Sequence, residues 1–341
     1  MSDVIEVSYT GDLLAHRRCP RAWAYEKHVG MHPYEQVQAM EGHLIHHAME
    51  WLTKQHRESG THASREALEA QLLQYFRVLW GRGIRTTFRS RDEVITAVAD
   101  HLYPGGHPLP EVVAVVEGAL HEEYPLRSVR KVIPALFGGK SRILLTGVLD
   151  VVVQQKGSLV YRRTWEWTDA ARVEGRVTEH LDTAQAGDLE IWDYKGTRAS
   201  TEYRDDYVRQ VVTYAALLED RVGLPARCVL FFVNEPDRDL RLLSIPVSRE
   251  VIDGCVNWTL EQVRELRQTV LQMQQDPLAI EGGDIRLKDR PLAERVTDDL
   301  KKQCTACGQR FDCNTYASAL AGGRRREGTH PDIDIRNIHK N

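Results

Sequence analysis

The chain has 341 residues, 42% of them hydrophobic, with a formal net charge of −4. That length and apolar content suffice for a full-sized core, as one large domain or one domain with an inserted lobe. The composition excludes a polycation. The opening MSDVIEVSYT shows no charged-then-apolar leader, and no run approaches the roughly 20 apolar residues of a membrane span. A soluble, cytoplasmic protein without a membrane partner is expected.

Residues 8–30 read as a helix capped by Ser8 or Thr10, with Leu14, Trp23 and Tyr25 among its packing residues. Residues 41–57 form a second, amphipathic helix. Residues 60–135 are mostly helical, interrupted by a Pro- and Gly-rich loop at 103–110, and read as a helical insertion. From Ser141 the pattern changes. SRILLTGVLDVVVQQ reads as one long apolar strand, and a turn at Gly157-Ser158 returns the chain as LVYRRTWEW. Residues 168–187 look polar and irregular. DLEIWDYKG is a further strand, 205–221 a helix, CVLFFVNE and RLLSIPVS two strands, and 248–275 a long helix. This alternation predicts an α/β core. Residues 1–320 are expected to form one domain and 321–341 a mobile tail.

Strand alternation puts Ile191, Asp193 and Lys195 on one face of their strand and Glu190, Trp192 and Tyr194 on the other. Asp150 interrupts the apolar GVLDVVV, where an acid is costly to bury without a compensating cation or hydrogen bonds. Two carboxylates can hold Mg²⁺ or Mn²⁺, which lowers the pKa of an attacking water, and a lysine beside them can offset charge on a phosphate. A surface D-x-K pair and a buried structural acid are the plain alternatives.

Six cysteines without a secretory leader argue against a disulfide scaffold. Cys228 and Cys255 lie in apolar surroundings and read as small core residues. Cys304, Cys307 and Cys313 form C-x₂-C-x₅-C, a spacing suited to a metal centre that lacks one ligand, and Cys19 is the candidate fourth. Spacing alone does not separate zinc from [4Fe-4S]. Either centre would staple the chain's two ends, worth about 4–5 kcal/mol if the loop-closure formula for a disulfide is borrowed. Basic residues cluster at His16, Arg17, Arg18 and Arg21, at Arg82, Arg85, Arg89 and Arg91, and at Lys301, Lys302 and Arg310. A nucleic-acid surface needs only local positive charge, although each cluster alone is most simply a solvated face.

A G-x-L-D strand followed by a D-Y-K strand resembles the PD-(D/E)XK nucleases, and more narrowly their RecB-family branch. Three more motifs carry the resemblance. Gly42-His43-Leu44-Ile45-His46 is similar to the branch's G-x-x-x-H, Gln210-Val211-Val212-Thr213-Tyr214 to its Q-x-x-x-Y, and Cys19-Pro20-Arg21-Ala22-Trp23-Ala24-Tyr25 to its C-P-x-x-x-x-Y. The resemblance implies a restriction-endonuclease-like mixed sheet flanked by helices. Asp150, Asp193, His46 and the carbonyl of Tyr194 would hold Mg²⁺ or Mn²⁺. Lys195 would act on the phosphate, and Gln210 and Tyr214 would lie beside the site and contact DNA. His43 and His47, four apart, have the spacing of a zinc pair but lack the glutamate of a zinc protease, so packing or DNA-facing roles are expected. Trp23, Trp192 and Tyr207 are either core or stacking residues for bases.

The four cysteines resemble the ligands of the iron–sulfur RecB-family nucleases, the group of the AddB nuclease domain, CRISPR-associated spacer-processing nucleases and exonuclease V. Cys19, Cys304, Cys307 and Cys313 would then hold [4Fe-4S], with 300–316 as the binding segment. The implied activity is DNA hydrolysis, as an exonuclease preferring single-stranded DNA, in repair, recombination or defence. The rival expectations are a DNA-binding scaffold with a relict nuclease fold and a zinc-stapled protein without a nucleic-acid role. A helicase or integrase partner is left open.

Overall fold

The computed structural model describes residues 4–20, 23, 26–27, 40–86, 89–125, 131–133, 142–201 and 203–275. In chain order, β1 (Val4–Ser8) leads through a π-helical segment at Tyr9–Leu14 into the short α1 (Ala15–Arg18). Four helices follow: α2 (Met40–Ser59), α3 (Arg65–Gly81), α4 (Arg91–Leu102) and α5 (Pro110–Gly118). Then come β2 (Ala119–Pro125), β3 (Lys131–Ile133), β4 (Arg142–Thr146), β5 (Val148–Gln154), β6 (Leu159–Tyr161), β7 (Thr164–Asp169), β8 (Glu174–Thr178), β9 (Asp182–Ala184) and β10 (Leu189–Lys195). The described chain closes with α6 (Arg204–Val222), β11 (Arg227–Phe232), β12 (Leu242–Pro246) and α7 (Arg249–Gln275).

Seven strands make the central sheet in the order β2-β5-β10-β11-β12-β7-β8. It is mixed: β10 runs antiparallel to β5 and parallel to β11. The inner strands carry long apolar runs because helices cover both faces; Val151, Val152 and Val153 of β5 and Val229, Leu230 and Phe231 of β11 are fully buried. One face packs on α6 and α7, through Val208, Val211, Ala215, Ile252 and Cys255. The other packs on α2 to α5, through Leu44, Ile45, Leu72, Val98 and Val112.

Local chemistry sets the helix ends. Ser64 caps α3 by accepting the Ala67 N–H, and Ser90 with Glu93 forms a reciprocal capping box on α4. Pro110 occupies the first turn of α5, where its missing N–H costs nothing. Gly223, at φ 86°, ends α6 in a conformation that side chains disfavour.

Four sequence expectations change. The helix expected over 8–30 is preceded by β1, and Ser8, the last residue of that strand, stands at the N-cap position of Tyr9–Leu14 without a side-chain cap hydrogen bond. The helical run of the insertion stops at Gly118; 119–125 is an edge strand of the central sheet, and the helices share one core with that sheet. The apolar run 141–155 is two strands broken at Gly147. β4 joins β1 and β3 in a separate three-stranded sheet, while β5 enters the central one. Polar 168–187 contributes β8 and β9, stitched by backbone pairing and ion pairs rather than by apolar periodicity.

Candidate active site

The β5–β10 ladder runs from Leu189↔Gln154 to Trp192↔Val151, so Asp150 and Asp193 are the next residues beyond its last pair. Just past that pair the Tyr194 N–H donates to Asp150 Oδ2 at 2.7 Å. The other carboxylate oxygen, Oδ1, lies 2.9 Å from His46 Nδ1 on α2. The alternation expected for β10 holds: Ile191 packs toward α6 and α7, Trp192 and Tyr194 toward α2.

Lys195 Nζ lies 2.6 Å from Asp193 Oδ2, with 11% and 3% of the two side chains exposed. Despite that ion pair, Oδ2 has no partner in hydrogen-bonding geometry. The ammonium compensates the carboxylate at short range, outside ordinary hydrogen-bond angles. Lys195 instead donates to Gln210 Oε1 at 3.0 Å, and Gln210 Nε2 donates to the Tyr214 hydroxyl at 2.9 Å. The Tyr207 ring lies 4.5 Å from the same ammonium, a cation–π contact. Helix α6 thus presents positions 207, 210 and 214, successive turns of one face, to the lysine.

The two acids ionise differently. Burial, and secondarily the charge of Asp150, pushes Asp193 up to about 7 against the pull of Lys195. Burial also acts upward on Asp150, but His46, Lys195 and the Tyr194 N–H outweigh it and hold that carboxyl below its ordinary range. Burial lowers His46, and Asp150 more than reverses the effect, so the imidazole is raised. Burial, reinforced by Asp193, raises the Tyr214 hydroxyl.

These donors fit a hard divalent cation in chemistry: two adjacent carboxylates, one with an oxygen lacking a hydrogen bond, beside an imidazole. Among the described residues no three His, Cys, Asp or Glu side chains converge as a ready-made cage. Mg²⁺ does not require one, since it keeps several waters and needs only one or two carboxylates.

Loop contacts fix the geometry around these residues. A Cβ on Gly196 would come 3.5 Å from the Cα of Gly42 and 3.4 Å from Ile45 Cδ1, so the turn of α2 before His46 rests against the chain just after Lys195. Asn234 Nδ2 donates to the Gly196 carbonyl, and buried Glu235 accepts from the Ala199 N–H. The close approach bears on Gly196, since a Cβ on Gly42 itself would meet nothing within 4 Å. Gly196 and Tyr207 carry these functions without a sequence signal beyond one glycine and one aromatic at suitable spacings.

Other candidates fall elsewhere. His47 stacks on Tyr75 and bonds to Gln71, while His43 is exposed. Trp23 and Trp192 are core residues. Arg17 and Arg18 are paired with Asp206 at the start of α6. Cys228 and Cys255 are buried as expected, and burial raises both thiols, Cys255 to about 11. Cys19 is half-buried at the end of α1. Cys304, Cys307, Cys313, the 300–316 segment, the tail and Arg21, Tyr25, Lys301, Lys302 and Arg310 lie outside the described residues.

A mixed sheet that brings two acids and a lysine together at the end of neighbouring strands, with helices on both faces, is the architecture expected of a metal-assisted phosphodiester hydrolase. A model of the PD-(D/E)XK nuclease superfamily matches residues 11–314, and the chain belongs to that superfamily. The superfamily typically uses a divalent metal, and its substrate is nucleic acid. No curated protein matches the sequence. Among the described residues no helix is long and apolar enough to cross a membrane.

Proposed function

We propose that the chain is a Mg²⁺- or Mn²⁺-dependent deoxyribonuclease of the RecB-like branch, an exonuclease preferring single-stranded DNA. The observation that carries this reading is the buried Asp150–Asp193–Lys195 group, in which Asp193 Oδ2 lacks a hydrogen bond although an ammonium stands 2.6 Å away. Asp150 and Asp193 would hold the metal, with His46 and the Tyr194 carbonyl as further donors. When bound, the metal lowers the pKa of a water and offsets charge on the phosphate.

This chain's own groups do the rest. Lys195, fixed by Gln210 and flanked by Tyr207, keeps a positive charge at the end of β10 where a phosphate would gather charge. Asp150 is held ionised and orients the His46 ring through Nδ1. Cys19, Cys304, Cys307 and Cys313 would bind [4Fe-4S] as a structural staple.

The decisive experiment incubates the purified full-length protein and its Lys195→Ala variant with end-labelled single- and double-stranded DNA, with Mg²⁺ or Mn²⁺. The parent should shorten single strands from an end, and the variant should be slower by on the order of 10²–10³. A variant as fast as the parent would overturn the site. A parent that binds DNA but never cuts it would point to the scaffold reading.

A further inference from the structure

The helical layer carries a second feature that hydrolysis does not use. Between the end of α3 and the start of α4 lies a cavity of about 560 Å³ lined by Phe76, Trp80, Arg77, Arg89 and Arg91 among others. Its aromatic wall is a stacked pair: the Phe76 and Trp80 rings are 5.7 Å apart and 19° from parallel. Trp80 is 45% exposed, a large apolar surface to leave in water. The Arg85 guanidinium lies 4.4 Å from its ring, held there by a hydrogen bond from Nη1 to the Trp80 carbonyl. Arg77, Arg82, Arg85, Arg89 and Arg91 thus fall within fifteen residues of a chain whose net charge is −4. Among the described residues Arg77 and Arg82 have no acidic partner.

One lining residue of the cavity, Arg89, touches the helix that carries His46. Arg89 pairs with Glu41 at 2.7 Å. Arg82 acts electrostatically on His43, two residues further along α2. Glu41 and His43 bracket Gly42, which rests against Gly196 beside Lys195. The rim of the cavity therefore meets the start of α2, whose Gly42 rests against the chain just after Lys195.

We propose that this arginine–aromatic cavity binds single-stranded DNA, stacking a base on the exposed Trp80 ring, which buried Phe76 supports from the core, while Arg77, Arg89 and Arg91 meet neighbouring phosphates. A duplex hides its base faces, so an aromatic wall selects an unpaired strand, and an arginine cluster serves its backbone. The inference rests on the nuclease reading for its choice of ligand, but its test does not require cleavage.

The test is fluorescence anisotropy of a labelled oligo-dT with the full-length protein in chelator, over a salt series. Arg77→Glu/Arg91→Glu should weaken binding at least tenfold and flatten the salt dependence by about 0.7 per lost phosphate contact. Trp80→Ala should weaken it about tenfold with an unchanged salt slope. Arg172→Glu, on a distant exposed turn, should leave affinity as in the parent. Parent-like affinity of both cavity variants would overturn the proposal, as would equal binding of a duplex, or displacement of oligo-dT by an oligo-glutamate peptide at equal charge concentration. Cleavage by the parent, measured separately with Mn²⁺, reports on the catalytic reading alone.

Discussion

Lys195 and Asp193 form an ion pair of 2.6 Å almost closed to water, in which the ammonium meets the carboxylate oxygen outside ordinary hydrogen-bond angles. The pair is a charge held in waiting, with its second acid, Asp150, already committed to His46 and the Tyr194 N–H.

Replacing that charge should stabilise the metal-free fold while removing activity. A carboxyl at about 7 when folded and 3.8 when unfolded favours the folded state while protonated; this advantage is complete below 3.8 and is lost as pH rises through 7. Asp193→Asn should therefore melt a few degrees higher than the parent at pH 8 without metal, and the gap should shrink as pH falls toward 4. Adding Mn²⁺ should raise the melting temperature of the parent only. A melting difference independent of pH would contradict this account.

Gln210→Leu removes the acceptor that aims Lys195 and strands the Tyr214 hydroxyl in the core. The expected result is kcat lower by about 10–100-fold with KM little changed, since the group orients a neighbour rather than binding substrate. A pure rise in KM in steady-state kinetics would instead assign Gln210 to DNA contact.

Gly196→Val tests the close approach of α2. A branched side chain there meets Ile45 and Gly42, and α2 must retreat from Asp150 by the space it occupies. Overpacking of this kind costs about 1–3 kcal/mol, readable by denaturant melting. Mn²⁺ titration by calorimetry should weaken about tenfold as His46 loses Asp150. Gly196→Ala, whose added atom sits in tight but tolerable contact, should do much less.

The staple has its own signature. The protein purified without oxygen should be brown and contain about four iron atoms per chain if the centre is [4Fe-4S]. Cys19→Ser and Cys307→Ser should both lose the colour and most of the soluble yield. Zinc found in place of iron by metal analysis would reassign the centre while leaving the staple.

Much of the site was legible in sequence because side-chain periodicity in a strand is two. Once DLEIWDYKG is a strand, Asp193 and Lys195 must share a face, and α6 supplies Gln210 and Tyr214 at one-turn spacing. Two things were not legible. Gly147 splits an unbroken apolar run between two sheets, and nothing in SRILLTGVLDVVVQQ says that the second half pairs with different strands from the first. Polar 168–187 forms strands because Asp182 reaches Arg227 and Ser244 across the fold, and partners this far apart in the chain leave no local pattern.

The start of β10 holds a second buried charge. Glu190, wholly enclosed, accepts from Gln155, Tyr161 and Trp192 through Oε2 and from Arg227 through Oε1. β10 is buried on both faces, so burial alone would tolerate a shift along its neighbours better than in a strand with one wet face. A one-residue slip would set Ile191 among four polar donors and bring Glu190 against the apolar helices. The far end of the strand thus acts as a ruler: its charge fixes the alignment, and with it the position at which Asp193, the fifth residue of the strand, emerges opposite Asp150.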